Sequence, residues 1–188
     1  MKATGIVRRI DELGRVVIPK EIRRTLRIKE GDPLEIFTDR DELMLKKYSP
    51  IATLERFSKA TARSLNDLSG KIAVICDTDG VLHAYGESKK EFDGKTLSED
   101  MDKILRERKS YVASIAEGGT VIPITTSHED GVTAQIIVPI VSGGDCLGAV
   151  VVLSREDGAK TDSGDMNLAR LTADILANQF DLLQCLHQ

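Results

Sequence analysis

At 188 residues, with 41% hydrophobic and 30% charged side chains, the chain has the composition of a globular protein and not of a disordered tail. No apolar run approaches the ~18 residues of a membrane span, and Met1-Lys2-Ala3-Thr4-Gly5 leads into charge instead of an apolar leader, so a cytoplasmic protein without a membrane partner is expected. The formal net charge of -4 speaks mildly against nucleic acid, but it is an average: residues 1–50 carry +3, residues 51–188 carry -7, and residues 1–29 alone carry +6. Such asymmetry marks a nucleic-acid or membrane module joined to something else, and Pro50 is the expected boundary between a domain at 1–50 and a domain at 51–188.

In chain order, residues 4–10 predict a strand rich in β-branched side chains, 11–14 a turn, and 15–18 a second strand. Pro19 has the fixed φ that suits a first helical position and opens a two-turn helix over 20–27. Gly31-Asp32-Pro33 breaks the chain, and 34–37 and 43–45 predict two further strands around a charged turn at 39–42. A β-β-α-β-β unit this small buries little surface, and no disulfide or metal is at hand to help it. Dimerisation, by exchange of hairpins between chains, is the expected remedy.

Beyond Pro50, Ile51, Leu54, Phe57, Thr61, Leu65 and Leu68 recur at helical spacing and predict a linker helix over 51–68. Residues 72–76 and 81–85 predict a hairpin around Asp79-Gly80. Residues 86–95 read as polar loop, and 96–107 as a short helix with Leu97, Met101, Ile104 and Leu105 inward. Strands follow at 110–116, 120–126, 132–141 and 146–153, the last nearly all apolar and so expected to be buried on both faces. Ser163 is expected to cap a final helix lined by Leu168, Leu171, Ile175, Leu176, Phe180 and Leu183. Helix, antiparallel sheet of five or six strands, helix: this is an α+β module of the sensory type.

The chemistry concentrates in the first helix. At about 100° per residue, Lys20, Arg23, Arg24 and Arg27 share one face, while Ile22 and Leu26 lie opposite, where they would dock the helix on its sheet. Arg8, Arg9 and Arg15 on the preceding strands extend the basic face. Basic stripes on small helices are often no more than solvated faces. Two features favour function: arginine outnumbers lysine, and arginine forms bidentate bonds to phosphates and guanine edges; and the patch stands in a chain whose remainder is acidic.

Residues 4–26, Thr-Gly-Ile-Val-Arg-Arg-Ile-Asp-Glu-Leu-Gly-Arg-Val-Val-Ile-Pro-Lys-Glu-Ile-Arg-Arg-Thr-Leu, with the match running on to Tyr48, closely resemble the DNA-binding domain of AbrB-type transition-state regulators. The resemblance implies a swapped-hairpin β-barrel dimer that binds double-stranded DNA through Arg8, Arg15, Arg23 and Arg24. Lys20, Arg9, Lys2 and Arg27 complete the expected DNA-facing set. With the second domain it implies a sequence-selective transcription regulator of sporulation genes, activator and repressor, associated with the nucleoid. One departure concerns the last hairpin: where the family has Asp-Gly at the turn, this chain reads Arg40-Asp41-Glu42-Leu43, one residue shorter.

Residues 51–185 resemble a GAF domain in Val138-Pro139-Ile140, the Gly143-Gly144 turn and Leu147-Gly148-Ala149-Val150. The cyclic-nucleotide signature of some GAF domains is not evident, and no ligand residues are carried over. Two roles stand side by side: assembly through the flanking helices, whose stripes would pair as a four-helix bundle and make a tetramer, and binding of an unidentified small-molecule effector near 86–95 and the strands at 120–140. No nucleophile elbow, P-loop or dinucleotide fingerprint is found, so neither catalysis nor a cofactor is expected. Cys76, Cys146, Cys185, His83, His128 and His187 are too scattered for a metal site. An antitoxin-like protein that holds a partner protein through its C-terminal domain is the alternative.

Overall fold

The computed structural model describes residues 5–87, 89–127 and 131–186, so Lys2, Thr4, His128 and His187 lie outside the described residues. The chain divides into two compact units, 1–48 and 49–188.

In the first unit, α1 (Lys20–Thr25) is followed by the antiparallel pair β1 (Leu34–Asp39) and β2 (Glu42–Lys47). The hairpin closes with a two-residue turn, since Asp39 pairs with Glu42, and Arg40 takes φ 48° there, a conformation that glycine holds more cheaply. The strands expected at 4–10 and 15–18 do not form within the single chain: described residues 5–10 and 15–18 join no ladder. A strand needs an edge to pair with, and among the described residues the one sheet of this unit is the β1–β2 ribbon. Nor does α1 dock as expected, for Ile22 is only half-buried and Leu26 is 56% exposed. Among residues 5–48 none is buried, and Val7, Ile10, Leu13 and Val17 are each at least 69% exposed.

The second unit begins with α2 (Pro50–Thr53), whose cap is Ser49 Oγ accepting from Ala52 N, and α3 (Glu55–Ser69). The expected single helix is therefore broken at Leu54, which turns inward and is buried. A five-stranded antiparallel sheet follows in the order β4-β3-β7-β6-β5: β3 (Ile72–Cys76), β4 (Val81–Tyr85), β5 (Tyr111–Ser114), β6 (Ala134–Ser142) and β7 (Asp145–Ser154). Helices α4 (Lys89–Phe92) and α5 (Glu99–Glu107) lie between β4 and β5 in sequence, and α6 (Ser163–Leu186) ends the unit.

The inner strands β3, β6 and β7 are covered on both faces and so are apolar through most of their length, while the edge strands β4 and β5 are only partly buried. Val74, Cys76, Ala149, Val151 and Leu153 meet Phe92, Met101, Leu105 and Ile124 in one core cluster. The alternate residues, Ala73, Ile75, Val150 and Val152, are equally buried on the opposite face. Segment 86–95 is not simply polar loop: it contains α4, and Phe92 is fully buried.

Segment 120–126 is not a strand. Its backbone meets residues 96–98, with Ser98 N donating to Ile124 O (3.0 Å), Thr126 N donating to Thr96 O (2.9 Å) and one isolated bridge between Leu97 and Thr125. Ser98 Oγ donates to Pro123 O at 2.6 Å, and the Gln135 carboxamide, in the orientation that satisfies both of its atoms, pairs with Ile122 N and O. Pro123 itself has no N–H to give to a ladder.

The long helix α6 also differs from expectation. Its cap is Asp162, whose carbonyl accepts from Met166 N at 3.1 Å and whose carboxylate accepts from Gly164 N, and not Ser163. Its buried side is made of Ala169, Thr172, Ala173, Leu176, Ala177 and Phe180, while Leu171 and Ile175 stay outside, 57% and 39% exposed. Leu176 and Phe180 are buried as expected, with Ala169, Ala173 and Ala177 beside them.

The central hairpin turns on Gly143-Gly144, both with positive φ, between the paired Ser142 and Asp145. In β7, Gly148 passes so close to β3 that a Cβ there would stand 2.0 Å from the Cys76 carbonyl oxygen. The collision is with backbone and cannot be relieved by a rotamer. Gly148→Ala is expected to destabilise the second unit by about 3 kcal/mol, read by urea unfolding; an unchanged midpoint would mean that β3 and β7 separate at no cost.

Candidate nucleic-acid interface

The basic residues are held by two local devices. The first is the loop 11–15. Asp11 N donates to Arg15 O (3.0 Å) and Gly14 N to Asp11 O (3.0 Å), with Gly14 at φ 76°. The Asp11 carboxylate accepts from Leu13 N (3.0 Å) and Arg15 N (2.8 Å) through Oδ1, and from Arg15 Nε (2.7 Å) through Oδ2. The Arg15 backbone N–H and then its guanidinium hold this carboxyl below the usual carboxylate range.

The second device is α1. Pro19 stands at its N-cap position, not inside the first turn, with its carbonyl accepting from Arg23 N at 2.9 Å. At the other end, Ile28 N donates to Arg23 O (2.8 Å) and Arg27 N to Arg24 O (3.3 Å). This is a Schellman closure, and Arg27 occupies the left-handed position, φ 52°, that glycine ordinarily takes. Glu21 in the first turn and Arg23 and Arg24 in the last turn complement the helix dipole.

Arg8, Arg9, Arg15, Lys20, Arg23, Arg24 and Arg27 are all exposed. The helical-wheel reading brought Lys20, Arg23 and Arg24 together on α1; Arg27 lies past its end in another backbone conformation. Sequence reasoning missed Asp11, although an acid four residues before an arginine across a Gly-containing turn was signal enough to look for a loop clasp. In the second unit, a shallow cleft lined by Lys71, Gln135, Ser154, Lys160, Thr161 and Asp165 has room for about one water molecule. Its principal charges are already spent, since Lys71 pairs with Asp165. Among the described residues no group of three or more His, Cys, Asp or Glu is placed to hold a metal, and no helix is long and apolar enough to cross a membrane.

Comparison with known proteins matches residues 53–181 to the family described as stage V sporulation protein T C-terminal, transcription factor, and residues 7–53 to the antidote-toxin recognition MazE, bacterial antitoxin family. The chain is 50% identical to stage V sporulation protein T of Bacillus subtilis (strain 168) over 157 residues, which is 83% of this chain and 86% of that one. It is 50% identical to the transition state regulatory protein AbrB of the same organism over 74 residues, 39% of this chain and 77% of that one. The crystal structure of the GAF-B domain of DevS from Mycobacterium smegmatis superposes with a TM-score of 0.56 at 12% identity, covering 73% of this chain and 97% of that domain, which identifies the fold of the second unit as GAF-like.

Arg27 lets stability and binding be separated. Arg27→Gly relieves the left-handed strain and is expected to raise the thermal stability of the N-terminal unit by about 1 kcal/mol, while weakening duplex DNA binding by the loss of one cation; a variant that melts lower, or that binds DNA as before, contradicts this.

Proposed function

The chain belongs to the stage V sporulation protein T family of transcription factors, and from that premise we propose that it is a sequence-selective regulator of sporulation genes, activator at some and repressor at others, that grips double-stranded DNA with the arginines of residues 1–50. The observation that carries this is the segregation of charge: +6 within residues 1–29 of a chain of net -4, with all seven described cations of the expected set exposed. Phosphate contacts from Arg8, Arg9, Lys20 and Arg27, and from Lys2 beyond the described residues, set affinity. A few base-edge or shape contacts from Arg15, Arg23 and Arg24 set preference.

The same unit needs a second chain. Residues 5–18 carry exposed valines, isoleucines and a leucine and have no ladder partner, which supports a dimer that exchanges hairpins into one barrel. The C-terminal domain, residues 51–188, then builds a tetramer. Leu171, Ile175 and Leu182 form an exposed stripe on α6, and Phe57 and Leu68 are exposed on α3, the pattern of helices that pair as a four-helix bundle. An unidentified small-molecule effector acting at the GAF-like domain would have to displace Phe92, because the core beneath α4 and α5 is filled by Phe92, Met101 and Ile124. The protein works in the cytoplasm on the nucleoid and needs no catalytic group or cofactor for this task. The match of residues 7–53 to MazE antitoxins supports a second reading, a DNA-binding protein that holds a basic toxin; co-purification of such a toxin would favour it.

Arg23→Ala combined with Arg24→Ala is expected to weaken promoter binding by roughly 100-fold, at about 1–3 kcal/mol per good contact, with the dimer intact by sedimentation; unchanged anisotropy would place the DNA on another face. For the full-length chain, log Kd against log salt should have a slope magnitude of about 4 to 7, from half or more of the eight described cations per dimer assigned to phosphates, Arg8, Arg9, Lys20 and Arg27 of each chain. Leu171→Glu with Ile175→Glu should halve the mass of the assembly in light scattering without loss of circular dichroism; an unchanged mass means α6 is not the interface.

A further inference from the structure

An acid within a DNA-binding surface ordinarily costs affinity, because it repels the phosphates that the arginines attract. Asp11 is such an acid, four residues before Arg15. Its pair with Arg15 is exposed, 70% on the arginine and 41% on the aspartate, and exposed pairs contribute little to stability. Both of its oxygens are nevertheless engaged: Oδ1 by Leu13 N and Arg15 N, Oδ2 by Arg15 Nε at 2.7 Å. Of the family-matched arginines Arg8, Arg15, Arg23 and Arg24, only Arg15 has a carboxylate partner among the described residues.

We infer that Asp11 is a positioning residue for DNA recognition: it clamps the Nε edge of Arg15 and leaves the two terminal nitrogens as an oriented fork for a guanine edge. This rests on the reading of Arg15 as a DNA contact. A guanidinium has two bidentate faces, one that includes Nε and one made of Nη1 and Nη2. Asp11 takes Nε and so decides which face is offered. The same carboxylate ties the loop backbone at residues 13 and 15, so the side chain that aims the fork also fixes the chain that carries it. The effect on binding therefore has a sign that simple electrostatics does not: removing a negative charge from the interface weakens recognition of the preferred sequence.

The test uses the full-length chain, a duplex selected in vitro by the wild-type protein, and a shuffled duplex of the same composition. Asp11→Asn keeps the size and an acceptor for the loop but loses the ion pair. It should weaken binding to the selected duplex about five- to tenfold, within the range of one bidentate base contact, and leave the shuffled duplex bound equally well or more tightly. In an Arg15→Ala background the same change should weaken nothing further. Arg15→Lys, which keeps the charge and loses the fork, should match the loss seen in Asp11→Asn. The inference is overturned if Asp11→Asn binds the selected duplex as tightly as wild type or tighter, if its effect is the same with and without Arg15, or if Arg15→Lys binds like wild type. If Arg15→Ala itself leaves affinity unchanged, the reading of Arg15 as a contact fails, and the role of Asp11 with it.

Discussion

Residues 5–48 bury none of their side chains, and much of what is distinctive about this protein turns on that constraint. A unit of this size exposes most of what its unfolded chain exposes, and burial of a large aliphatic side chain contributes only about 1.5–3 kcal/mol when it is complete. Here Val7, Ile10, Leu13, Val17, Leu26 and Ile36 remain more than half exposed, so that contribution is not collected within one chain. The local geometry is nonetheless well formed: a Schellman closure at Arg27, a carboxylate clasp at Asp11 and a two-residue hairpin at Arg40. The unit has its turns and caps in place and lacks a core within one chain.

The second unit is built the opposite way. Its sheet has a covered layer on each face, and the longest strands, β6 and β7, are apolar through most of their length. Close approach within the sheet is bought with a missing side chain at Gly148. The buried side of α6 combines Ala169, Ala173 and Ala177 with Leu176 and Phe180, while Leu171, Ile175 and Leu182 lie on the opposite, exposed side. The packing that completes one core thus creates an apolar stripe suited to another chain.

Charge and packing are divided between the units in the same way. Arginines gather where little can be buried, on exposed turns and on a short helix that aligns them. The acidic excess sits in the domain with a buried apolar core. Asp11 is the instructive exception, an acid inside the basic segment whose oxygens are all committed to Arg15 and its loop.

The sequence by itself determined the segregated charge, the basic stripe on α1, two hairpins of the GAF-like sheet and the family resemblance, because each rests on local spacing, composition or identity. Tertiary structure alone decided the rest. Whether residues 4–10 and 15–18 pair was not legible, since a strand is completed by an edge that another segment or chain must provide. The path of 120–126 depended on segments distant in sequence: residues 96–98 bond its backbone at Ile124 and Thr126, and the Ser98 and Gln135 side chains meet Pro123 and Ile122. The inward faces of α3 and α6 were set in the fold, which buries Leu65, Leu176 and Phe180 together with Ser58, Ala62, Ala169 and Ala173 and leaves Phe57, Leu68, Leu171 and Ile175 exposed; a hydrophobic pattern records which side chains are apolar but not which of them meet the sheet.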